Sequence, residues 1–167
     1  PYVYPDNTLS FPGNFLNMMW RVGEYEVHPV LERAMDVLFI LHADHEQNCG
    51  TTAMRVVGSS HANPYIACSA AAAALSGPLH GGANTKGMKT PLEIGEIDNV
   101  EPFIQDALIS KRKIMGFGHA VYKTEDPRAT HLRRFSRELG ERAGDTKWYE
   151  MSRRIEEVMM REKGLFP

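Results

Sequence analysis

At 167 residues, with 43% hydrophobic and 24% charged side chains, the chain is long enough for one ordinary domain or pieces of two, and apolar enough to build a core. Its formal net charge of −2 at pH 7 sets up no general field for nucleic acid or an anionic membrane, so neither is expected as a partner; a bound anion must be caught by local arginines and histidines. Cys49 and Cys68 lack CxxC spacing and stand beside nine methionines, which predicts a reducing compartment and a cytoplasmic protein.

The chain opens on Pro1 without a signal-peptide pattern, as a processed product or an internal piece would. Pro29, at a first-turn position, opens a predicted helix with Val30, Leu31, Ala34, Val37, Leu38 and Leu41 on its apolar face, running into His42. Its apolar run is interrupted by Glu32, Arg33 and Asp36 and is too short to span a bilayer. Asn63-Pro64 reads as a cap followed by an N1 proline, and the alanine-rich stretch 65–75 as a tightly packed helix that stops at Gly77-Pro78.

Between Asn84 and Asn99, Gly87 and Pro91 oppose a continuous helix, and a change of domain is expected nearby. Asn99 is predicted to cap a short helix to Ser110, with Pro102 in its first turn. Asp126-Pro127 repeats the cap-plus-proline signal ahead of Leu132, Phe135 and Leu139, and a last helix over 145–163 carries Trp148, Met151, Ile155, Val158 and Met159 until Gly164 ends it. No two-residue alternation and no internal repeat is found, so the predicted fold class is all-α.

Three segments carry candidate chemistry. In Gly77-Pro78-Leu79-His80-Gly81-Gly82-Ala83-Asn84 a histidine stands at the end of the alanine-rich helix among glycines that let the backbone approach a ligand. In Met115-Gly116-Phe117-Gly118-His119 a second histidine follows a glycine turn; the missing third glycine, with Val121 in its place, removes a dinucleotide fingerprint. The segment 42–48 holds His42, Asp44, His45, Glu46, Gln47 and Asn48, which either satisfy one another at a helix end or face a polar ligand. Its order, HxxHE, is neither HExxH nor HxxEH, so no metal is expected. Arg128 offers a planar fork suited to a carboxylate, with a simple pair to Asp126 or Glu125 as its plainer use. His28, His61 and His131 read as ordinary, and Arg133, Arg134 and Arg137 as a solvated helix face.

Taken in order, HADHEQN, GPLHGGAN, MGFGHAVYK and DPRA resemble the citrate synthase family, and the opening VYPDNTLSFPGNFLNMMW is similar to its bacterial, type II branch. The resemblance implies an all-α citrate synthase fold, with residues 1–81 part of the large helical domain and 82–167 part of the small one. It further implies condensation of acetyl-CoA with oxaloacetate to citrate and CoA through an enol, without a metal or redox cofactor, by a homodimer or hexamer. The alternatives are a 2-methylcitrate synthase, which shares these motifs, and a non-catalytic CoA- or carboxylate-binding relic.

Carried over on that resemblance, His80 and His119 are the catalytic residues. His80 would meet the thioester carbonyl, and His119 the oxaloacetate carbonyl. His45, His119 and Arg128 would bind oxaloacetate, while Met115, Gly116, Phe117, Gly118 and Lys123 would bind CoA. Two departures stand out. The segment from Thr85 to Pro91 replaces an uninterrupted helix, and the family's aspartate base has no match. The expectation is therefore an internal piece, inactive alone and left with open apolar faces.

Overall fold

The computed structural model describes residues 2–21, 23–43, 47–78, 80–118 and 124–166. Among them run eight α-helices: α1 (Phe11–Trp20), α2 (Pro29–Ala43), α3 (Cys49–Ser59), α4 (Pro64–Leu75), α5 (Gly81–Ile94), α6 (Val100–Ile109), α7 (Pro127–Ala143) and α8 (Lys147–Lys163). A 3-10 turn at Ile97–Asn99 leads into α6. The described residues contain no strand, in agreement with the all-α expectation.

Short polar side chains set the helix starts. Ser10, Asn48, Asn63 and Asp126 each accept a hydrogen bond from a backbone N–H in the first turn that would otherwise lack a partner, at 2.9 to 3.0 Å. Prolines just inside α1, α4 and α7 cost nothing there, because those positions have no intrahelical acceptor. The Ser10 and Asn48 signals mark two helices, α1 and α3, that the sequence reading did not assign.

Two expectations are corrected. First, α5 is continuous through Gly87 and Pro91. Pro91 falls in the last turn, where its missing N–H leaves only the Gly87 carbonyl, four residues back, without its helical partner, and its own carbonyl still accepts from Gly95 at 3.0 Å. Ile94, 3% exposed, then ties the end of α5 into the core. Second, Asn99 makes no side-chain cap; its Nδ2 donates backward to the Ile94 carbonyl at 3.2 Å.

The main core gathers Ile94, Val100, Ile104, Met151, Ile155, Val158 and Met159 between α6, α8 and the end of α5. Ion pairs reinforce its rim, where Glu101 of α6 accepts from Arg154 at 2.8 Å and from Arg161, both on α8, and Glu96 accepts from Lys147 at 2.8 Å. Earlier in the chain α1 packs on α2, with Phe11 and Phe15 edge-on to Phe39 at 5.5 and 5.2 Å. Helices α3 and α4 form a close hairpin, and α7 packs on both α2 and α8. No helix among the described residues is long and apolar enough to cross a membrane.

Candidate active site

Backbone packing fixes the position of His80. It stands at the N-cap of α5, its N–H donating to the Gly77 carbonyl at 3.0 Å, while its side chain makes no capping bond. A Cβ on Gly81 would come within 2.7 Å of the Leu75 carbonyl oxygen, and one on Gly82 within 3.2 Å of the Gly77 carbonyl oxygen. Both obstacles are backbone atoms, so the corner between α4 and α5 closes in this form because Gly81 lacks a side chain, and the Gly82 position is tight as well. His80 is thereby presented, half-buried, at a rigid helix start.

The start of α3, capped by Asn48, reaches the same place. A Cβ on Gly50, at the start of α3, would lie 3.5 Å from the Leu75 side chain, and the Leu75 carbonyl lies against Gly81. The starts of α3 and α5 therefore meet at the end of α4. Within the polar segment 42–48, Asn48 caps α3 and the His42 ring Nδ1 donates to the Leu38 carbonyl at 2.8 Å, so these two serve helix ends. Asp44, His45 and Glu46 lie outside the described residues.

The 115–118 turn rests on the core, with Ile114 and Phe117 packed against its buried cluster. Gly116 and Gly118 adopt φ of 95° and 79°, a left-handed conformation that glycine takes without strain. The turn has a cavity on each side. One, of about 350 Å³, lies between α5, α7 and α8 and is bordered by Gly87, Leu132, Arg133, Arg153 and Glu156. The other, of about 400 Å³, has a floor including Leu108, Ile114, Phe117 and Met159 and cations at Arg112, Lys113 and Lys163. Gly87 and Pro91 of α5, which border the first cavity, lie about 9 and 15 Å along the helix axis from Gly81, so α5 connects the His80 corner to this turn.

The second cavity's cations were not singled out in the sequence. The available signal was the run Lys111-Arg112-Lys113 leading into the turn. His119 and Lys123 lie outside the described residues.

Arg128, half-buried at the start of α7, is held by Asp126. Its Nη2 donates at 2.6 Å and its Nε at 3.0 Å, so the carboxylate that caps the helix also fixes the plane of the guanidinium. This is the plainer of the two uses weighed from sequence. Arg133 corrects an expectation, since it is no solvated residue. It is half-buried and donates to both Glu125 and, at 2.8 Å, Glu156. The Glu125 hydrogen bond, with Glu156 beside it, pushes its pKa further above the ordinary arginine value.

Comparison with known proteins adds to this geometry. The family described as "Citrate synthase, C-terminal domain" matches residues 1–167. The chain is 44% identical over 174 residues to a citrate synthase of Dictyostelium discoideum, covering 100% of this chain and 34% of the relative. With citrate synthase 2 of Bacillus subtilis it shares 48% identity over 151 residues, 90% of this chain and 41% of the relative. It thus spans roughly a third to two fifths of the length of these relatives. Among solved structures, the ternary complex of carboxymethyl coenzyme A and oxaloacetate with the citrate synthase of Thermoplasma acidophilum is similar, with TM-score 0.87 and 34% identity over 100% of this chain and 44% of that one.

Proposed function

The chain belongs to the citrate synthase family, and from that premise we propose that a protein carrying it condenses acetyl-CoA with oxaloacetate and, with water, releases citrate and CoA. The observation that carries this reading is the His80 corner. A histidine is locked at a helix start by backbone contact, at the same end of α4 as the Asn48-capped start of α3, in a chain similar throughout to an enzyme solved with oxaloacetate and a CoA analogue.

In the proposed reaction a base removes a methyl proton of acetyl-CoA while His80 donates a hydrogen bond to the thioester oxygen, where charge accumulates. The enol carbon attacks the oxaloacetate carbonyl, and His119 supplies the proton to its oxygen. Water then cleaves the citryl thioester, releasing citrate and CoA. His45, His119 and Arg128 hold oxaloacetate, Arg128 with its fork oriented by Asp126. The backbone at Met115, Gly116, Phe117 and Gly118 receives CoA with Lys123. Residues 1–81 and 82–167 fall in the two domains of the family's fold, and closure of one on the other would exclude water during the reaction. Placement in the bacterial, type II branch and assembly as a dimer or hexamer belong to the same proposal.

The test is release of free thiol from acetyl-CoA in the presence of oxaloacetate, using the whole protein that carries this chain. Turnover is expected, and His80→Ala should reduce it by about 10²–10³ with helix content unchanged. The 167 residues assayed alone should be silent, because none of them matches the family's aspartate base. A whole protein that releases no thiol would overturn the reading, and preference for propionyl-CoA would move it to 2-methylcitrate synthesis.

A further inference from the structure

We infer that Glu125 is a positioning residue for oxaloacetate binding: through Arg133 and Glu156 it ties the non-helical lead-in to α7, and with it the fork of Arg128, to α8. The inference rests on reading Arg128 as an oxaloacetate ligand.

Glu125 and Asp126 are neighbours on the non-helical chain just before Pro127, yet their carboxylates serve different arginines of α7. Asp126 accepts from the Arg128 backbone N–H at 2.9 Å and holds its guanidinium. Glu125 accepts instead from Arg133, whose Nη2 also donates to Glu156 on α8 at 2.8 Å. The second Glu156 oxygen accepts from Arg153 at 2.5 Å, which completes a chain of four alternating charges. Beside Glu156 in α8, Met151, Ile155 and Val158 belong to the main core and are at most 6% exposed, so the far end of this chain is fixed. Its near end adjoins the residue that holds Arg128.

Arg128 and Arg133 are five positions apart, so they stand about 140° from each other around α7. The anchor therefore acts on the substrate fork through the backbone, from another side of the helix. The side chains of Glu125, Arg133 and Glu156 are 19 to 33% exposed, so solvent screens them less than it screens the open Arg137–Glu141 pair on the same helix, at 64 and 54%. Without the link, the lead-in segment would lose its hold on α8, and oxaloacetate would have to order it on binding; that cost falls on the affinity for this substrate. A carboxylate ahead of a helix ordinarily complements the positive end of its dipole, which would account for an acid at position 125. It does not account for the reach to Arg133, or for a guanidinium that joins the lead-in segment to α8.

The experiment is steady-state kinetics of the whole protein that carries this chain, with each substrate varied in turn, for the wild type, Glu125→Gln, Glu125→Ala, Arg133→Ala, the Glu125→Ala and Arg133→Ala double variant and, for comparison, Glu141→Ala. The KM for oxaloacetate should rise about tenfold in either single alanine variant, no further in the double variant, and by less in Glu125→Gln. The KM for acetyl-CoA and kcat should stay as in the wild type, and Glu141→Ala should match it throughout. Glu125→Gln keeps the size of the side chain and decides the matter should an alanine variant fail to fold. A wild-type oxaloacetate KM in the Glu125 variants overturns the inference and leaves the proposed function standing. So does an equal rise for both substrates, or a lower melting temperature with both KM values unchanged, since either shows a general structural role. Full additivity in the double variant also overturns it, because the two side chains would then act separately. A whole protein that releases no thiol overturns the inference and the proposed function together.

Discussion

Ile104 in α6 is fully enclosed, whereas Ile66 in α4 leaves 59% of its surface open. The two residues represent two regions. Around Ile104, Val100, Met151 and Val158 are also shut away from solvent, and helices meet through large apolar side chains. In the α3–α4 hairpin only Gly50 and Ala67 are buried, while Val56, Tyr65, Ile66 and Leu75 remain exposed. The hairpin is nonetheless closely packed, because small residues let its backbones approach. Close helix pairing and removal of apolar surface from water are thus separate achievements. Only the second yields a large hydrophobic contribution.

Five substitutions bear on that contrast. In chemical denaturation, Ile104→Ala should cost about 2–5 kcal/mol, because it removes fully enclosed atoms and leaves a cavity. Ile66→Ala should stay within about 0.5 kcal/mol. A loss at Ile66 approaching that at Ile104 would mean that the α4 face is covered in the protein measured. Gly81→Ala comes next, at about 1–3 kcal/mol, since its Cβ would have to displace the Leu75 carbonyl, and turnover of the whole protein should fall with it as His80 moves. A neutral Gly81→Ala would show that the corner opens freely.

Asn48→Ala should cost about 1 kcal/mol by removing the acceptor for the Thr51 N–H, and amide exchange should accelerate first at the start of α3. The smallest effect belongs to Glu101. The hydrogen bond from Arg161 foremost holds its carboxyl below the ordinary value of 4.5. The folded state therefore keeps this carboxylate charged more readily than the unfolded chain does. Its contribution is present above about pH 4.5 and is lost as pH falls through the lowered value. Because the group is exposed, the difference in urea midpoint between wild type and Glu101→Gln should be slight at pH 7 and should shrink further in high salt.

Much of the fold was legible because its helices announce themselves locally. Asn63-Pro64 and Asp126-Pro127 combine a capping side chain with a proline at a position that needs no N–H, and both open helices as expected. The failures were local rules outweighed by position or by neighbours. Pro91 argued for a break but stands where only one helical bond depends on it, and Ile94 anchors the following residues. Arg133 looked solvated within a run of arginines. Its partners come from Glu125, outside α7, and from Glu156 on α8, a pairing that no helical periodicity could reveal. At the site, glycine spacing marked the turns, but the cationic lining of the second cavity draws on Lys113 and Lys163, fifty positions apart in the chain.

The corner beneath His80 has a consequence for mutational scans. Every replacement of Gly81 adds a Cβ directed at the Leu75 carbonyl oxygen, so this position should be costly to substitute, and Gly82 less so, since its Cβ asks the Gly77 carbonyl to give only slightly. Intolerance next to a histidine invites the conclusion that these residues do chemistry. Here it would record that two stretches of main chain occupy adjoining space, and the informative variants would be those of His80 itself.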